Sequence, residues 1–114
     1  MRPGFDQRME DPIAEPDASR LRHAFALAMQ AREMGDRPFS AVIVAEDGAI
    51  LAEGLSTQGT GGGGTLAHSE MNACQAVIAG GVPRERLRRA TIYSSGEPCA
   101  MCSAAIFYTG VGRV

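Results

Sequence analysis

PFSAVIVAEDGAILAEG, residues 38–54, is the stretch on which the fold turns. Ala41-Val42-Ile43-Val44 is a short uninterrupted apolar run, the pattern of a strand buried on both faces. Glu46-Asp47-Gly48 is a turn signal, and Ala49 to Gly54 returns as a second strand, so the stretch predicts a β-hairpin.

Upstream, Asp17 or Ser19 is placed to cap a helix, and Leu21, Ala24, Phe25 and Ala28 recur at helical spacing through to Met34. Gly35 ends that helix and Pro38 opens the hairpin. Residues 1–16, with three prolines and alternating charges, read as a loosely packed N-terminal arm, which leaves residues 17–114 as the folded domain. Downstream, residues 57–65 form a glycine-rich loop, too flexible for regular structure. A second helix from about Ala67 carries Met71, Cys74, Val77 and Ile78 and stops at Gly80-Gly81. Residues 83–89 are a charged connection with room for one helical turn. Thr91-Ile92-Tyr93 is a third strand, broken by Ser94-Ser95-Gly96. A third helix starts around Pro98, a favourable first-turn residue, and runs to Tyr108 before Gly110 stops it. Val111 to Val114 reads as the start of a fourth strand. The order is that of an α/β domain with helices covering a sheet.

The chain has 114 residues, enough for one small domain with a single core. Hydrophobic residues at 45% and charged residues at 21% describe an ordinary globular protein. A formal net charge of −2 predicts no long-range attraction to a polyanion, so a nucleic-acid partner would need a local basic patch. No apolar run approaches a membrane span. The opening residues MRPGFDQRMEDPIAEPD carry acids and prolines where a signal peptide needs an apolar stretch, so a cytoplasmic location is expected. Three cysteines suit a disulfide framework poorly, and two of them form a C-x-x-C pair that suggests metal or redox chemistry in a reducing compartment.

The chemistry is concentrated in His68-Ser69-Glu70 and Pro98-Cys99-Ala100-Met101-Cys102. A catalytic zinc takes three protein ligands and leaves a fourth position for water. Two cysteines three apart sit on neighbouring positions of a helix's first turn, where the helix N-terminus favours thiolate. A histidine at the start of the preceding helix can supply the third ligand. Glu70, two positions after His68, is rotated roughly 200° around an ideal helix, so it is poorly placed to ligate the same ion. It can still reach a water whose pKa zinc lowers towards about 7. A carboxylate there can take a proton and return it to a ring nitrogen and to departing ammonia.

H-x-E followed by P-C-x-x-C is the signature of the zinc nucleobase deaminases. PFSAVIVAEDGAILAEG, AHSEMNA and YSSGEPCAMCSAAIFYTGVGRV resemble the cytidine and deoxycytidylate deaminase superfamily, specifically its nucleoside and guanine deaminase branch, over roughly residues 20–114. The resemblance implies a three-layer α/β/α fold, here truncated after the third helix and the start of the fourth strand. It implies zinc held by His68, Cys99 and Cys102, Glu70 as the proton shuttle, and a substrate pocket that includes Phe39, Ser56 and Ala67. Ser56 aligns where relatives place an asparagine against the base, and Ser40 where they carry glycine. Relatives also form dimers, so a homodimer is expected. The implied reaction is hydrolytic deamination of a purine base or nucleoside, guanine first, with cytosine, cytidine or a tRNA adenosine as alternatives. The competing class is a non-catalytic zinc-stabilised module that pairs with another subunit through an exposed sheet edge at Val111–Val114.

Other features have plainer readings. A structural zinc site wants four protein ligands, and helical spacing places Cys74 with Met71 and Ile78 on the apolar side as a buried thiol. Residues 59–64 match G-x-G-x-x-G literally, but Thr65-Leu66-Ala67 intervene before the helix, so a rim loop beside the site is expected rather than a dinucleotide site. Arg84, Arg86, Arg88 and Arg89 form a basic run whose default is a solvated connection. His23 is expected at the surface. Phe107 and Tyr108 suit either the core or a subunit interface.

Overall fold

Ser40–Val44 (β1) pairs antiparallel with Ile50–Leu55 (β2) on one side and Thr91–Ser94 (β3) on the other, in a computed structural model that describes residues 13–114. The arm expected over residues 1–16 therefore lies outside the described residues as far as residue 12. Every residue of β1 is buried, because a middle strand with no polar alternation is covered on both faces. Ala41 and Ile43 point into a core with Ala73, Val77, Ile92 and Ile106. Val42 and Val44 point the opposite way, towards Ala24 and Tyr93. Removing a side chain such as Ile43 or Ile92 from water contributes roughly 1.5–3 kcal/mol.

Helices cover each face, as the reading of the hairpin requires. Asp17–Glu33 (α1) lies on the Val42 side, while Ser69–Ala79 (α2) and Ala100–Thr109 (α4) pack together on the Ile43 side. Between them, Arg84–Arg88 (α3) is the short helical turn expected in the charged connection, and it buries Leu87 in the same core. The result is the three-layer α/β/α arrangement, with helices on both sides of a three-stranded antiparallel sheet.

Several details differ from expectation, each for a local reason. Neither Asp17 nor Ser19 caps α1: Pro16 holds the cap position, and Asp17 is the first helical residue. Its carboxylate is drawn away by tertiary partners, accepting from the Tyr93 hydroxyl at 2.5 Å and from Arg113 at 2.6 and 3.1 Å. Those bonds, Arg113 first, hold the Asp17 carboxyl down at about 2. Phe25 is exposed, because the stripe facing the sheet is Ala24, Ala28 and Ala31, spaced by whole turns, and Phe25 is rotated off it by about 100°. Ile78 is exposed for the same reason, and Cys74 is buried beside Ala73 and Val77 instead. Pro98 lies before the helix rather than within it, since Cys99 is the cap residue of α4. Of the fourth strand expected from Val111, Arg113 alone pairs, as a parallel bridge to Thr91. Phe107 and Tyr108 stay out of the core, their rings edge to face at 5.4 Å. Among the described residues, no helix is long and apolar enough to cross a membrane.

Gly54 couples the sheet to the helix that carries the histidine. It faces α2 so closely that a Cβ there would stand 2.1 Å from the Ser69 carbonyl oxygen and 2.8 Å from the Ala73 nitrogen. Both are backbone atoms and cannot rotate away. Gly54→Ala is expected to lower stability by about 1–3 kcal/mol in urea unfolding, because α2 must lift off β2. Zinc affinity should weaken with it, since the lifted turn carries His68. A variant with unchanged midpoint and zinc content would show that α2 is not seated this tightly.

Candidate active site

His68 and Cys99 occupy equivalent places. Each is the extended residue immediately before a helix, His68 before α2 (φ −69°, ψ 153°) and Cys99 before α4 (φ −71°, ψ 175°). Because α2 and α4 share one face of the sheet, these two N-termini converge. Cys102, three residues into the turn, is buried beneath them. His68 Nδ1 lies 3.6 Å from Cys99 Sγ and 3.5 Å from Cys102 Sγ, and the three donor atoms all lie within 4.8 Å of one another.

This spacing can be tested against the metal's own geometry. Tetrahedral zinc with bonds of about 2.3 Å to sulfur and about 2.0–2.1 Å to nitrogen separates two such donors by about 3.6 Å. Thiolate and imidazole are also zinc's preferred donors. The residues fit the ion. No fourth protein donor joins the group among the described residues, which is the pattern of a catalytic rather than a structural site. Cys74 is a free thiol inside the apolar core, and burial pushes it up.

The two cysteines differ in their surroundings. The Cys102 backbone N–H, turned towards Cys99 from the first turn of α4, holds the Cys99 thiol below its ordinary value. Burial, followed by the charge of Glu70, pushes the Cys102 thiol up to about 12. A cation arriving here therefore displaces a proton, as thiol ligation generally requires.

Glu70 is itself buried at 7% exposure, and its Oε1 accepts the Ser69 hydroxyl at 2.7 Å. It stands outside the three-donor group but lines the same cavity, of about 290 Å³, together with His68, Ser69 and Cys99. Phe39 and Ser56 line that cavity too. Ala67 is buried next to His68 and is not among the lining residues; its carbonyl accepts the Thr57 N–H at 3.1 Å. A larger open cavity, about 410 Å³, follows the outer side of β3, where Asp17 and Arg113 are bonded to each other. Among the described residues the three-donor group, His68, Cys99 and Cys102, lies beside the smaller cavity, which is therefore the candidate site.

Sequence reasoning missed the residues that hold the rim. The segment 57–65 is irregular as expected, yet it is tied down. Asn72 on α2 donates to Leu55 O at 2.8 Å and to Thr57 Oγ1 at 3.0 Å, and Gln58 Nε2 donates to Thr65 O at 2.9 Å. Asp36 accepts from Ser56, Gly59 and Thr60, and the Ser56 hydroxyl above all holds its carboxyl well below the usual carboxylate range. The Ser69 bond to Glu70 was likewise not anticipated, although adjacency in sequence offered that signal. The arginine run is largely paired within its own surroundings: Arg86 with Asp47, and Arg88 and Arg89 with Glu85, all at exposed positions. His23 pairs with Glu53 on the surface, as expected.

The sequence matches the family described as the cytidine and deoxycytidylate deaminase zinc-binding region over residues 14–114. It is 37% identical over 103 residues to a probable cytosine deaminase of Schizosaccharomyces pombe, covering 90% of this chain and 60% of that protein. To the tRNA-specific adenosine deaminase of Haemophilus influenzae it is 33% identical over 101 residues, covering 89% and 57%. The crystal structure of guanine deaminase from Bacillus subtilis matches with a TM-score of 0.76 at 32% identity, over 89% of this chain and 62% of that one. The chain thus spans less than two thirds of the length of each of these proteins.

Proposed function

The chain belongs to the cytidine and deoxycytidylate deaminase family, and from that membership we propose that it hydrolyses the amino group from a free purine base or nucleoside, guanine first. The observation that carries this reading is one cavity lined both by His68 and Cys99, two members of a three-donor group whose spacing fits zinc, and by a buried, hydroxyl-held carboxylate. His68, Cys99 and Cys102 would hold the ion. Bound there, zinc supplies Lewis acidity that brings the pKa of water towards about 7.

The remaining chemistry belongs to Glu70. Ser69 occupies Oε1, which orients the carboxylate and leaves Oε2 for proton transfer. Glu70 takes a proton as the oxygen of water bonds to the carbon bearing the amino group. It passes that proton to the adjacent ring nitrogen, then takes the remaining proton from the newly attached hydroxyl and gives it to the amino nitrogen, which leaves as ammonia as the carbon–nitrogen bond breaks and the carbonyl forms. Phe39 offers a ring to one face of the base, and Gly96 lets that ring approach the turn after β3, where a Cβ would stand 3.2 Å from it.

Size and charge favour a small substrate. The cavity is at the lower end of ligand-pocket volumes, roughly 300–1,000 Å³, which suits one planar base. The paired arginine run offers little to a polyanionic tRNA. The match to the Bacillus subtilis guanine deaminase structure supports guanine. The 37% identity to a probable cytosine deaminase supports cytosine as a second reading. Ammonia release from guanine, guanosine, adenosine, cytosine and cytidine by the zinc-loaded protein separates them, with guanine expected to be fastest. One zinc per chain with no ammonia from any of these would favour the non-catalytic module.

A further inference from the structure

The turn between α1 and β1 carries a carboxylate that the deamination chemistry does not use. Asp36 lies three residues past the end of α1 and collects donors from two directions. Its Oδ1 accepts the Ser56 hydroxyl at 2.6 Å and the Arg37 N–H at 2.8 Å. Its Oδ2 accepts the Gly59 N–H at 2.9 Å and both the N–H and the hydroxyl of Thr60 at 2.8 Å. An ionised carboxylate offers about four lone-pair sites, so this side chain is filled to capacity.

Both sets of partners bear on the cavity. Ser56 follows β2 and forms part of the wall with His68 and Glu70. Gly59 and Thr60 lie in the glycine-rich rim, next to Gln58, which also lines the wall. Gly61, Gly62 and Gly64 take positive φ there, and glycine pays the largest loss of conformational freedom on being ordered. A rim of this composition needs fixed acceptors, and Asp36 supplies them from outside the loop. The alternative acceptor for Ser56, Gln58 Oε1, is 3.4 Å away, so the single hydroxyl proton goes to the shorter bond.

We propose that Asp36 is the positioning residue of this cavity: it fixes the rim at residues 59–60 and accepts the Ser56 hydroxyl's hydrogen bond, so that Ser56 meets a ligand as an acceptor for an N–H. The inference rests on the reading of the cavity as a base site. Asp36 touches neither metal donors nor reacting atoms, so its loss acts on binding rather than on the chemical step.

The test compares zinc-loaded wild type with Asp36→Ala and Asp36→Asn, the latter keeping the side-chain volume in case the smaller residue unfolds. KM and kcat are measured for guanine, or for whichever base of the panel wild type turns over fastest, alongside amide hydrogen exchange at Gly59 and Thr60. KM should rise about tenfold with kcat held within about twofold. Exchange at those two amides should accelerate while the amides of β1 stay protected. Faster exchange with an unchanged KM would make Asp36 a loop anchor only and overturn the proposal, as would a fall in kcat that tracks lost zinc. A wild type that deaminates no base removes the base-site reading and this proposal together, and is told apart because the variants play no part in that result.

Discussion

Glu70→Gln is expected to leave a folded, zinc-loaded protein whose kcat is lower by roughly 10²–10⁴-fold, the usual worth of general acid–base catalysis. The substitution is nearly isosteric, which matters at a site only 7% exposed. The glutamine oxygen can still accept the Ser69 hydroxyl that Glu70 Oε1 accepts at 2.7 Å, so the side chain keeps its orientation. What is lost is the second carboxylate oxygen, which takes up the proton and hands it on. Because Glu70 stands outside the three-donor group, zinc content should remain at one per chain. Glu70→Ala should abolish turnover as well, again with zinc retained. Ammonia release and metal analysis on the same preparation check both halves: full activity in either variant would remove Glu70 from the mechanism, and lost zinc would make it a ligand instead.

The placement of Glu70 was legible in the sequence because it is local. H-x-E places the carboxylate one residue from the Ser69 hydroxyl and two from the histidine, and C-x-x-C spans one turn at the start of α4. Spacing alone therefore carries most of the geometry. β1 was legible for a similar reason: a short β-branched apolar run bounded by a turn signal is the pattern of a strand covered on both faces. Asp36 was not, since its partners Ser56, Gly59 and Thr60 lie 20 to 24 positions away, and nothing in a G-D-R turn states which loop will fold back onto it. Asp17 misled for the same reason. A residue type that usually caps a helix was recruited by Arg113, 96 positions along the chain. Local preference yields wherever a distant charge offers a stronger bond. The glycine-rich rim was read as flexible because its composition describes the free segment, while its order comes from Asp36, Asn72 and Gln58 around it.

Cys102→Ala is expected to abolish zinc binding and activity while leaving the fold in place. Cys102 is fully buried, but neither of the two apolar cores that hold the sheet and helices together is built on it. The apolar truncation should therefore cost only about 1 kcal/mol of intrinsic stability. The metal contribution is larger: a ligand that binds only the native state stabilises it by RT ln(1 + [L]/Kd), about 4.1 kcal/mol at a thousandfold excess over Kd. Wild type should thus melt at a higher temperature when zinc is added and lose that increment to a chelator, whereas Cys102→Ala should melt at one temperature in both conditions. His68→Ala should behave alike, because the imidazole stands 3.5 Å from the same sulfur. Cys74→Ala is the informative control. Its thiol is buried among Ala73 and Val77, apart from the three donors, so it should keep one zinc per chain and the full zinc-dependent rise in Tm. If Cys74→Ala lost the metal, or if Cys102→Ala retained it, the three donors converging at the N-termini of α2 and α4 would not be the zinc site, and Glu70 would have no activated water to act upon.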